Sequence, residues 1–354
     1  MPINRTGTAG SDKFYATAAA EAFDGLGNYD FVYYTDSTSD LVINLRKPSD
    51  NRGDAAGDTF TSIEYFGLGQ GNDKFTGSAI KEQIDGYLGD DVLNGGGGDD
   101  IISGHSGNDN ISGGSGNDKA WGGGGDDRLN GGTGNDYLVG DKGNDRIIGG
   151  SGDDELFGGT GDDNISGGTG SDTLIGGQGA DRLNVGSASD NVRDYVRYTA
   201  VSDFGDIITG FDSNGMFDMV QLGGALRTAY DDASADLSIA WGEGNGGAGT
   251  VDAIVGQGTG DLEALYLSGA AGEGVTRGQL KNAGAVANAF NTEFNITAAN
   301  GEDAFLVVND TNSNSFAVWH WVQAGEGEVG ASELSLVGVF TSNATVSTAS
   351  FEFI

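Results

Sequence analysis

Between Leu68 and Asn184 a large apolar residue returns every ninth position: Phe75, Ile84, Leu93, Ile102, Ile111, Ala120, Leu129, Leu138, Ile147, Leu156, Ile165, Leu174 and Leu183, with Ala120 the one small member. Two residues before each stands an acid: Asp73, Glu82, Asp91, Asp100, Asp109, Asp118, Asp127, Asp136, Asp145, Asp154, Asp163, Asp172 and Asp181. Glycine fills most of the remaining fixed positions, so the unit reads G-G-x-G-x-D-x-U-x, as in GGGGDDIIS (95–103), GGTGNDYLV (131–139), GGSGDDELF (149–157) and GGTGDDNIS (158–166). The 117 residues divide into 13 such registers. Self-similarity at a fixed short period is the mark of a solenoid. The pattern predicts a three-residue strand, whose eighth-position side chain points inward because strand side chains alternate, and a six-residue glycine-rich loop. Eighteen residues then complete one turn with a loop on each edge. The expected fold is all-β: a right-handed parallel β-roll flanked by a degenerate N-terminal β region and a β-rich C-terminal domain.

The flanks are less regular. Residues 1–67 read as a degenerate prelude: GTAGSDKFY (7–15) is one more nonapeptide, and DGLGNYDFVYY (24–34) a shortened one with Asn28 in a glycine position. Asn tolerates positive φ better than most residues. Residues 31–46 alternate around the polar run TDSTSD, which predicts a hairpin. After the array of 68–184, residues 185–222 read as a β-like closing cap and 223–354 as a β-rich C-terminal domain. Strands are expected at 303–310, 315–322, 332–340 and the final SFEFI, and a helix over 279–290.

Charge decides what these loops do. The chain carries 53 acidic and 17 basic residues, a formal net charge of −36. Nucleic acid is excluded as a partner, because phosphate binding rests on clustered Lys and Arg. No apolar run is long enough to span a membrane, and MPINRTGTAGSDKF at the start has no apolar core of a secretory leader. There is no Cys, so no disulfide and no thiolate metal site. A cation is the natural partner. Glycine at positions one, two and four lets the chain curl and aim carbonyl oxygens at one point, and the position-six carboxylate adds a charged ligand. These are hard oxygen donors in the number that Ca²⁺ takes. The candidate ligand set is the twelve position-six aspartates with the loop glycines Gly96, Gly98, Gly114, Gly116, Gly132, Gly134, Gly150, Gly152, Gly159, Gly161, Gly168 and Gly170. Loops two registers apart on one edge would share an ion, which gives about ten ions. Register 77–85 is irregular and Glu82 is the weakest candidate; His105 and Asp141 replace glycine at position two. One aliphatic residue per nine is a thin core, so metal binding must supply much of the folding free energy.

These repeats resemble the RTX, or hemolysin-type calcium-binding, repeat family. The likeness extends upstream through VINLRKPSDNRGDAAGDTFTSIEYFGLGQGND and downstream through DFGDIITGFD at 203–212. The resemblance implies export by a type I secretion exporter through an uncleaved C-terminal signal, and folding outside the cell. The last stretch, ELSLVGVFTSNATVSTASFEFI, looks like the C-terminal region of such proteins.

No catalytic constellation is evident. There are two histidines, His105 and His320, and neither H-E-x-x-H nor G-x-S-x-G occurs. DTNSNS (310–315) imitates the start of an EF-hand loop but lacks its glycine and its terminal Glu, and reads better as a hairpin turn. Trp319 and Trp321 fall on one strand face, which favours packing over a sugar platform. The sequence thus points to a secreted, non-enzymatic calcium protein of a surface layer, sheath or matrix that associates with itself. The alternatives are a monomeric polysaccharide-binding or adhesin module and, behind it, a cryptic hydrolase.

Overall fold

The computed structural model describes residues 2–186, 192–199 and 206–211, and strands at 219–222, 238–239, 253–254, 264–267, 303–310, 315–322, 334–342 and 350–353. Among the described residues the chain is all-β, with two single-turn 3-10 segments at Pro48–Asp50 and Gly53–Ala55. It divides into two compact units, residues 1–172 and 173–354.

The first unit is a parallel β-solenoid. One sheet stacks Lys13–Tyr15, Phe31–Tyr33, Tyr65–Gly67, Gln83–Leu88, Ile101–Ser106, Lys119–Gly124, Tyr137–Lys142 and Glu155–Thr160. The other stacks Val42–Asn44, Lys74–Thr76, Val92–Gly97, Asn110–Ser115, Arg128–Thr133, Arg146–Ser151 and Asn164–Thr169. Within the array each strand pairs with the strand eighteen residues away: Ile84 with Ile102, Ile102 with Ala120, Leu93 with Ile111 and Ile111 with Leu129. The position-eight column is the core, and each of its members is at most 2% exposed. Ala120 sits in it between Ile102 and Leu138.

Two expectations change. From Gln83–Leu88 to Thr173–Gln178 the array strands are six residues long, not three: they run from position seven through position three of the next register, as in Asn110–Ser115. The glycine at position two does not end the strand, because every rung makes the same left-handed step and the ladder survives it. The hairpin expected over 31–46 does not form. Phe31–Tyr33 pairs in parallel with Lys13–Tyr15 and Tyr65–Gly67, while Val42–Asn44 pairs in parallel with Lys74–Thr76 in the other sheet. The two apolar runs are opposite walls of one turn of solenoid. Asn28 does take positive φ, at +69°.

In the second unit, Thr173–Gln178 pairs in parallel with Tyr195–Tyr198, which pairs with Met219–Leu222 and so on to Ser350–Phe353. Arg182–Gly186 pairs with Asp206–Phe211, and that strand with Leu334–Ser342. The last strands therefore join the closing strands of the cap. Asp303–Asp310 and Ser315–Val322 pair antiparallel, and the turn expected over DTNSNS falls on residues 311–314, outside the described residues. The helix expected at 279–290 lies outside the described residues.

Candidate metal centre

The position-six aspartates stack into two ladders, one on each edge of the solenoid. On one edge the Asp91 amide donates to Asp109 Oδ1 (2.8 Å), Asp109 to Asp127 (2.7 Å) and Asp127 to Asp145 (2.8 Å). On the other, Asp100 donates to Asp118 (2.7 Å), Asp118 to Asp136 (2.7 Å), Asp136 to Asp154 (2.8 Å) and Asp154 to Asp172 (2.9 Å). One carboxylate oxygen per aspartate is thus used to fix the rung above it. The other, Oδ2, is buried without a hydrogen-bond partner at Asp91, Asp100, Asp109, Asp118, Asp127, Asp136, Asp145 and Asp154. A buried charged oxygen left unpaired is costly, so a stack of eight demands a counter-charge.

The glycines explain where that charge fits. Those at positions two and four in the candidate set, Gly96 through Gly170, all have φ between +103° and +128°, the region closed to side chains. Position one is different: its backbone is not left-handed, and the glycine is needed for space. A Cβ at Gly113 would strike Asp118 Oδ2. At Gly95 and Gly149 a Cβ would meet both the carboxylate of its own register (Asp100, Asp154) and the carbonyl of Gly113 or Gly167 on the next rung, 2.9 and 2.6 Å away. The orphaned oxygen and a carbonyl of the neighbouring loop therefore face one point. Among the described residues no three carboxylate, imidazole or thiol side chains converge. A cation held here takes most of its ligands from backbone carbonyls, which is chemistry for a hard ion. The residues fit Ca²⁺. Replacing Gly113 with Ala is expected to swing the Asp118 carboxylate out of its place and lower stability in calcium by about 1–3 kcal/mol. The control is Gly124→Ala, whose Cβ finds nothing nearer than 3.9 Å and should be neutral. Thermal denaturation of the two variants in calcium checks this.

Without a cation the fold raises the proton affinity of these carboxylates. Burial first, then the like charges on neighbouring rungs, pushes Asp91 up to about 8 and Asp100 to about 7, against the amides they accept. Asp127 and Asp136 are pushed to about 7 by the same causes. Asp109, Asp145 and Asp154 are raised to about 6, again chiefly by burial.

Two members of the candidate series stand apart. Asp73 accepts the Leu41 amide on Oδ1 (2.8 Å) and the Gly69 amide on Oδ2 (2.9 Å), so both of its oxygens are taken by backbone. Glu82 keeps its place in the ladder, donating its amide to Asp100 (2.7 Å), but its own carboxylate is occupied by the Ser78 hydroxyl and amide. The first two registers are therefore satisfied by protein groups. His105 and Asp141 adopt φ of +72° and +76°; Tyr87, a third non-glycine at position two, does the same at +72° and stacks on His105 at 5.3 Å.

Position five carries a second ladder that the sequence reading did not use. Asn108 donates its amide to Asp90 Oδ1 (2.7 Å), Asp126 to Asn108 (2.7 Å) and Asn144 to Asp126 (2.8 Å), with the matching series Asn117, Asn135 and Asp153 on the other edge. It runs opposite to the position-six ladder, so each rung is tied in both directions. The signal was the Asn/Asp restriction at position five. In the second unit the Asp181 amide donates to Asp206 (3.0 Å), which takes the same place after a step of 25 residues instead of 18.

Four overlapping or adjacent stretches, 85–120, 103–138, 121–156 and 157–192, match the family model of the RTX calcium-binding nonapeptide repeat. The tract is an RTX calcium-binding repeat array. Its geometry supplies the reason for the motif: two glycines for the turn, one to clear space for the carboxylate, and one aspartate that ties the rung with Oδ1 and leaves Oδ2 over. No curated protein matches the chain. Among the described residues no helix is long and apolar enough to cross a membrane.

Proposed function

We propose that this is a secreted structural protein of the cell surface or extracellular matrix, exported by a type I system and folded by about ten calcium ions bound along its RTX array. The observation that carries the calcium part is the stack of buried, partnerless Oδ2 atoms from Asp91 to Asp154. The ions sit between same-edge loops, ligated by Oδ2 and by carbonyls of the position-one, two and four glycines. Weak extracellular-type sites suit such carbonyl-rich loops. The absence of an evident catalytic constellation supports a non-enzymatic role. Self-association is supported by the edges of the first unit. Ile3–Thr6 ends a separate three-stranded parallel sheet with Glu21–Asp24 and Thr59–Thr61, and Lys13–Tyr15 ends the first of the two long sheets; Ile3 is 52% and Tyr15 62% exposed, and such edges pair readily with another chain.

Light scattering during a calcium titration of chelator-treated protein tests this, with magnesium as control. The radius should fall as the array folds and then rise to large particles that a chelator disperses. A radius that falls and stays small sinks the structural role and leaves calcium binding standing.

A second reading rests on the outer face of the first sheet. Tyr15 stacks on Tyr33 at 5.4 Å, and Phe31 lies 6.1 Å from Tyr33 and 5.2 Å from Tyr65. Such a platform supports a polysaccharide-binding module. Glycan binding by the calcium-loaded monomer, lost on Tyr33→Ala, would favour it.

A further inference from the structure

We propose that the N-terminal region holds a calcium ion of its own, at a site built on Asp30 and outside the RTX array. The loop Gly25–Asp30 reads GLGNYD, with Leu26 and Asn28 standing where array loops carry glycine. Both residues nevertheless take the left-handed backbone, at φ +69° each. Leu26 is 55% exposed, so its packing does not explain a conformation that a branched side chain disfavours. Strain of that kind persists when something else fixes the loop.

Asp30 shows what the loop is shaped around. It is fully buried. Its Oδ1 accepts the Asp12 amide (2.7 Å) and its own amide donates to Glu64 Oε2 (2.9 Å). Its Oδ2 is buried and has no hydrogen-bond partner. A Cβ on Gly25 would collide with both Asp30 Oδ2 and the Ser62 carbonyl oxygen, so these two oxygens face the same space. The array repeats that arrangement: at Gly86 the equivalent pair is Asp91 Oδ2 and the Gly104 carbonyl. The neighbouring loop here is not a nonapeptide loop. It is the short segment Ser62–Glu64, with Ser62 at φ +52°, and Glu64 takes the place of the next rung's aspartate by accepting the Asp30 amide. The donors that face this space, Asp30 Oδ2 and the Ser62 carbonyl, are both hard oxygens, as in the array, which selects a hard divalent ion.

The other buried acids of this region are built differently. Glu21 pairs with Arg5 and accepts the Thr17 amide (2.9 Å). Asp58 accepts the Tyr34 hydroxyl and the Glu21 amide (2.7 Å). Protein groups do there what an ion does in the array. One ion belongs at Asp30, and none at Asp58.

The proposal rests on the calcium chemistry of the array, and the test separates the two. Bound calcium is counted by native mass spectrometry on the full chain, with hydrogen exchange over 85–172 to follow the array. D30N is expected to carry one ion fewer than the parent chain with the array equally protected, and D58N the same number as the parent. A parent chain that takes up no calcium would overturn the array reading and this one with it. If the parent binds and D30N binds equally, the Asp30 site alone is wrong. A deficit shared by D58N, or a D30N deficit of several ions, also overturns it, because Asp30 would then serve folding and not a single ion.

Discussion

Chelating calcium at pH 7.5 is expected to collapse the β signal of the protein and to expand it about two-fold or more in radius. The cause is the inner surface of the loops. In the folded chain eight carboxylates from Asp91 to Asp154 are buried with one oxygen unsatisfied, on ladders whose rungs are about 4.8 Å apart. Like charges that close, shielded from water, repel strongly. The aliphatic column that opposes this is one residue per nine, and Ala120 thins it further. The position-five and position-six ladders hold the rungs in register but do not neutralise them. With calcium between loops, each added ion cancels charge on two rungs at once, so refolding should be cooperative and steep in calcium. Magnesium should not replace it, because its octahedral shell is reluctant to give up water to a ring of flexible carbonyls. Circular dichroism across a calcium titration, repeated with magnesium, checks both statements. A β signal that survives chelation at this pH would mean that the core and the ladders suffice.

The sequence made the array legible for a simple reason. Its stacking partners lie a constant eighteen residues apart, so the two columns that matter appear as two periodic columns of letters. Where the step changes, the pattern hides the structure. Phe31–Tyr33 finds its partner at Tyr65–Gly67 and Val42–Asn44 at Lys74–Thr76, steps of 34 and 32 residues that no period reveals. A local hairpin was the natural reading of that alternation, and it was wrong. Asp206 continues the acidic ladder after a 25-residue step for the same reason. Chemistry hidden inside one letter was also missed. Glycine at position one and glycine at position two look alike in sequence, yet Gly113 clears space for Asp118 while Gly114 supplies φ of +116°. Asp73 looks like every other member of its column, and only the Gly69 amide on its second oxygen sets it apart.

Acid should do part of the work of calcium. In the calcium-free fold the array aspartates are raised well above their ordinary value of 3.8, to about 6 at Asp109, Asp145 and Asp154, about 7 at Asp100, Asp127 and Asp136, and about 8 at Asp91. Burial is the first cause and neighbouring carboxylates add to it. The folded chain therefore binds protons more tightly than the unfolded chain does. Stability from these groups is fully present below about pH 4, where unfolded aspartates are also protonated, and is lost as pH rises through 6 to 8. This is the reverse of a salt-bridged carboxylate, whose contribution is lost in acid. In chelator, lowering the pH from 8 to 5 is thus expected to recover β signal and compactness that the chain lacks at pH 8. In calcium the dependence inverts: protons compete for the same Oδ2 atoms, so the calcium midpoint for folding should move to higher concentration as pH falls from 8 to 5. Far-UV circular dichroism against pH, with and without calcium, measures both slopes. A chelated protein equally unfolded at pH 5 and pH 8 would show that desolvation of these carboxylates is not what keeps the metal-free array apart.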